Sequence, residues 1–148
     1  MHKVVVDRAH LVVSVTVAGY LDDGAVQAAA VDLHAAIRSL GADVGRHVTL
    51  YDMTGLQAVS PPTLERFANY FVDPTVAPLW ARRVAMVSVS PLLTLQMGRV
   101  SRIRDSLRLF ADRREAMAWL LADKGRLRLT SDKALSTPGD QASRGEAI

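Results

Sequence analysis

The chain has 148 residues, 49% of them apolar and 22% charged, with a formal net charge of +3 and no cysteine. That length supports one domain with a real core. The absence of cysteine excludes disulfides, thiolate metal sites and thiol nucleophiles. No apolar run reaches the roughly 18 residues of a membrane-spanning helix, and no secretory leader is read at the N-terminus, so a cytoplasmic protein of bacterial style is expected.

The first elements are two β-branched runs, Lys3 to Val6 and Leu11 to Val17, around a polar break. They read as a hairpin. Asp22 or Asp23 can cap a helix that carries Val26, Ala30, Leu33, Ile37 and Leu40 on one stripe, with Gly41 at its C-terminal stop. His47 to Tyr51 reads as a strand covered on both faces, ending at Asp52. Ser60 caps the next helix and Pro61 opens it, since the N–H that proline lacks has no partner there. Leu64, Phe67, Ala68 and Phe71 form its inner face, and Asp73-Pro74 stops it.

Residues 74 to 81 read as loop or a short helical turn carrying Trp80. Val84 to Val89 is a further strand. Pro91 opens a helix with Leu93, Met97 and Val100 at helical spacing. Gly98 inside that helix suggests a close approach by another element. Leu107 to Phe110 is a last short strand, and Asp112 caps a last helix with Ala116, Trp119 and Leu120 facing in. From residue 124 the apolar pattern fades, so the expected organisation is one domain over 1–123 and a disordered tail over 124–148. The order β-β-α-β-α-β-α-β-α predicts an α/β fold: a mixed sheet, its later strands parallel, with helices packed on it.

The charge is uneven. Arg82, Arg83, Arg99, Arg102, Arg104, Arg108, Arg113 and Arg114 crowd residues 82 to 114, opposed there only by Asp105 and Asp112. A solvated face explains such a run first; an acidic protein or an anionic membrane surface comes second. Interleaved aromatics and reader motifs are missing, so nucleic acid is not expected.

Little points to chemistry. Histidines at 2, 10, 34 and 47 lack the spacing of metal ligands. There is no phosphate loop, no G-x-G-x-x-G and no G-x-S-x-G elbow. Asp22 and Asp23 are neighbours that do not face each other. The expectation is therefore no catalytic residue, no metal, no cofactor and no enzyme. Trp80 and the Met97 stripe read as core. An apolar ligand at Val76, Leu79 and Trp80 is the weaker alternative.

Asp52 ends a strand, where open α/β sheets place functional loops. Its carboxylate can pin a Thr54-Gly55 turn, as Asx residues do. The hydroxyls of Thr54, Ser60 and Thr63 make them candidates for a binding loop, because a helix N-terminus favours an anion.

The segment "VTLYDMTGL" after a β-β-α start resembles the STAS domain, the fold of bacterial anti-sigma-factor antagonists. The ending "LRLFADRREAMAWLL" looks like the SpoIIAA-like subfamily, and the match covers about residues 3 to 122. The resemblance implies a sheet of four or five strands, a binding role and a protein partner. It leaves a homodimer open. The wider group is similar in fold to Sec14-like lobes, which implies a lipid-like ligand as the alternative. Asp52 matches the family's acid at the strand end. The family's Asp-Ser-Ser-Gly segment falls on Ser60-Pro61-Pro62-Thr63, so the phosphoacceptor position lies on or beside Pro62, which has no hydroxyl. The resemblance thus implies a regulatory loop without its reactive serine.

Overall fold

The structure is a computed structural model and describes residues 1–122. β1 (His2–Asp7) and β2 (Val12–Ala18) pair as an antiparallel hairpin, with Val4 opposite Val15 and Val6 opposite Val13. Then come α1 (Asp23–Arg38), β3 (Val48–Gly55), α2 (Pro61–Tyr70), β4 (Arg83–Val87), α3 (Pro91–Ser101) and β5 (Leu107–Phe110). Residues 113–122 form a further helix, α4. The expected order and the mixed sheet are both present. The expected tail, 124–148, lies outside the described residues.

The sheet runs β1-β2-β3-β4-β5, and β2 to β5 are mutually parallel. Each new strand is added on the same side of the last. Parallel crossovers keep one hand, so the three connecting helices must land on one face. On that face Val15, Tyr51 and Met86 pack against Leu33, Ile37, Phe71 and Met97. On the opposite face Leu50, Ala85 and Val87 pack against Ala116 and Leu120 of α4.

Local chemistry sets the helix starts. The Asp22 carboxylate accepts the Ala25 N–H at 2.8 Å and caps α1. α2 and α3 both open on Ser-Pro: the Ser60 and Ser90 hydroxyls accept from the N–H groups of Thr63 and Leu93.

Two expectations need correction. β3 does not stop at Tyr51 but runs to Gly55, past a register shift between Thr16 and Ala18 on β2. Gly98 serves no close approach, because a Cβ built there meets nothing within 4 Å. Gly98→Ala is therefore expected to stabilise the protein by about 0.5–1 kcal/mol, read by urea denaturation.

His47 is fully buried just before β3, and its Nδ1 accepts the Gly45 N–H at 3.1 Å. Burial first, and then the charge of Arg82, hold its pKa below the usual range. Burial also lowers His34. A histidine held neutral in the fold contributes stability that is complete above its unfolded pKa of about 6.5. That contribution is lost as pH falls through the unfolded value toward the folded one. The melting temperature is thus expected to drop between about pH 7 and pH 5. His47→Asn, which keeps an acceptor for Gly45, should flatten that drop.

Candidate functional site

β4 ends at Val87, opposite Asp52, and β3 runs three residues further to Gly55. The loops that leave them are held together by side chains from three places in the chain. Asp52 Oδ1 accepts the Thr54 N–H at 3.1 Å and the Thr54 hydroxyl at 2.8 Å. Its other oxygen accepts from Arg113 on α4 at 2.7 Å. Partial burial would push this carboxyl up, but the Thr54 bonds and the Arg113 pair outweigh it and leave its pKa lowered. The resulting stability is present above the unfolded carboxylate value and is lost as pH falls through the folded one.

The loop between β3 and α2 is clamped from the neighbouring helix. Gln96 on α3 accepts the Val59 N–H at 3.1 Å and donates to the Val59 carbonyl at 2.8 Å. The Ser90 hydroxyl donates to the Gln57 carbonyl at 2.5 Å. A two-way amide clamp fixes the backbone as a β-ladder pair would. Gln57 itself stays exposed at the crest.

No family model matches this sequence, and no curated protein matches it. Among solved structures, the crystal structure of an anti-sigma factor antagonist from Mycobacterium paratuberculosis is similar, with a TM-score of 0.53 and 17% identity. The alignment covers 81% of this chain and 94% of that one. The chain has the STAS fold.

Within the STAS fold the four hydroxyl and acid candidates fall into two pairs. Asp52 and Thr54 are bonded to each other at the end of β3. Ser60 and Thr63 are bonded to each other at the start of α2, hydroxyl to hydroxyl at 2.9 Å. Thr63 is buried, and the Ser60 oxygen already accepts the Thr63 N–H. Pro61 and Pro62 lie exposed between them. Among the described residues no three His, Cys, Asp or Glu side chains gather as metal ligands would.

Val76, Leu79 and Trp80 sit apart from this loop, around a short 3-10 turn at Ala77–Leu79. Leu79 packs on the main core. The Trp80 indole donates to the Tyr70 carbonyl at 2.9 Å and carries the Arg104 guanidinium 4.2 Å above its ring.

The arginines do not form one patch. Arg83 and Arg108 stack on Trp119 at 4.5 and 4.9 Å, on the α4 face. Arg104 lies with Trp80, Arg113 is on Asp52, and Arg99 on α3 and Arg102 just after it are exposed. Sequence reasoning missed Arg113, Gln96 and Ser90 as the residues that shape the loop. The repeated Ser-Pro helix start at 60 and 90 was the available signal that two equivalent strand ends meet here.

Asp52→Ala is expected to lower stability by about 1–2 kcal/mol, since it removes three bonds at a mostly buried carboxylate. Arg113→Ala should cost less, because Asp52 keeps both bonds from Thr54. Thermal melts of the two variants side by side check the order.

Proposed function

We propose that this protein is a non-catalytic cytoplasmic regulatory module that binds a protein partner through the crest of the loop between β3 and α2. The observation that carries the reading is the clamp from Gln96 and Ser90, which holds an exposed loop in one shape. A preformed loop loses little entropy on binding, so its contacts go into affinity. The likeness to the fold of an anti-sigma factor antagonist supports a partner of the same general kind.

Regulation by phosphorylation of the loop is not part of this reading. Pro62 stands where the resemblance puts the acceptor, and the nearby hydroxyls of Ser60 and Thr63 close on each other. A second copy of the chain is the homotypic form of the same role, and sedimentation velocity separates it from a heterologous partner.

The test is affinity capture with wild type and Gln57→Arg. The Gln57 side chain is exposed and only its carbonyl is used in the fold. A discrete protein retained by wild type and lost by a variant with an unchanged melt supports the reading. Equal retention by both rejects it.

A further inference from the structure

Between α1 and α2, on the sheet face they share, lies a cavity of about 390 Å³. Its floor is Val15 and Val17 of β2 and Met53 of β3, all nearly inaccessible to solvent. The wall on α1 is formed by Ala29 and Ala30, whose short side chains leave the space between the helices unfilled. Protein interiors pack to the density of organic crystals and seldom leave a void larger than a water molecule. A space of this size falls in the range of small-molecule pockets, about 300–1,000 Å³.

The lining changes with depth. The strand residues of the floor are apolar, and Tyr51, Thr63 and Tyr70 add hydroxyl-bearing side chains to the lining. The exposed lining residues Gln27 of α1 and Arg66 and Asn69 of α2 mark the mouth. Arg66 pairs with both oxygens of Asp23, from Nε and Nη2 at 3.4 Å each, in an exposed contact. Asp73 also lines the space, so an apolar depth lies under a mouth of one cation, one carboxylate and two amides, which fits an amphipathic ligand. Val76, Leu79 and Trp80 do not line this space.

We infer that this cavity binds a small amphipathic molecule, its apolar ring or chain between α1 and α2 and a polar head at the mouth beside Arg66. Leu56 and Val59 of the loop between β3 and α2 line the same space, but Gln57 at the crest does not.

The experiment titrates the full chain with two probes, followed by fluorescence. One is 1-anilinonaphthalene-8-sulfonate, which carries an anionic head. The other is N-phenyl-1-naphthylamine, the uncharged counterpart. Both are expected to saturate at one equivalent. Ala30→Phe should fill the space and weaken both by at least about tenfold with the fold retained. Arg66→Gln should weaken the sulfonate probe more than the neutral one. Where Ala30→Phe does not fold, Ala30→Leu, a strong helix former, takes its place and should weaken both probes.

Non-saturable binding would overturn the inference. So would saturable binding that a folded Ala30 variant leaves unchanged. A dimer that Ala30→Phe abolishes, with no bound probe in the wild type, would give the space to a second copy and also overturn it. Capture by wild type and Gln57→Arg reads the loop alone, so the two readings fail separately.

Discussion

Leu120→Ala is expected to destabilise the protein by about 2–5 kcal/mol, the range for removing a fully buried leucine. Leu120 is 0% exposed and packs with Ala116, Leu50 and Val87. On this face α4 is the covering helix among the described residues, so little is left to collapse into the gap. The loss should reach the loop as well. Arg113 stands at the start of the same helix and bonds to Asp52, 61 residues earlier in the chain. Urea denaturation reads the stability. Amide exchange at Thr54, whose N–H is held by Asp52, should quicken in the variant beyond its change in global stability.

Gly55→Ala is the second large effect, expected at about 1–3 kcal/mol of destabilisation from overpacking. A Cβ at this position would lie 2.6 Å from the Ala18 Cβ and 3.1 Å from the Ala18 Cα. Neither atom belongs to a flexible side chain that can swing away. The two strands pass this closely because Ala18 pairs with Gly55 beyond the register shift. The same substitution at Gly98 meets open space and should have the opposite sign. Measuring both in one urea series separates close approach from simple helix propensity.

The contrast between these glycines shows what the sequence carried. Gly98 in a helix reads as a spacing device and Gly55 reads as part of a turn, yet it is Gly55 that has the close neighbour. Helix starts were legible because a short oxygen followed by proline satisfies local backbone groups, as at Ser60-Pro61. The last strand was legible as four residues, Leu107 to Phe110, and is found there. The end of β3 was not. Thr54-Gly55 has the composition of a turn, but Gly55 pairs with Ala18 and its carbonyl accepts the Gly19 N–H.

The candidate site was half legible. Ser60 at a helix start and the bonds from Thr54 to Asp52 follow from local rules, though Asp52 lies within β3 and not at its end. The bond from Arg113 depends on where α4 lands, and nothing local distinguishes that arginine from its seven neighbours. Gln96 is likewise an ordinary helix residue until α3 lies against the Val59 backbone. The cavity beside Ala30 is a distance between helices, which no pattern of residues along one helix reports. Arg104 looked like part of a solvated charge run; its stacking on Trp80 needs the turn at 77–79 in place.

The loop crest as a protein-binding surface is the centre of this account, and site-specific photocrosslinking tests it most directly. A benzophenone amino acid would be placed at Gln57 on the crest and, in a second protein, at exposed Val31 on α1. A protein-binding crest gives one discrete protein adduct from position 57 and none from position 31. Adducts of the same pattern from both positions, or from position 31 alone, would contradict it.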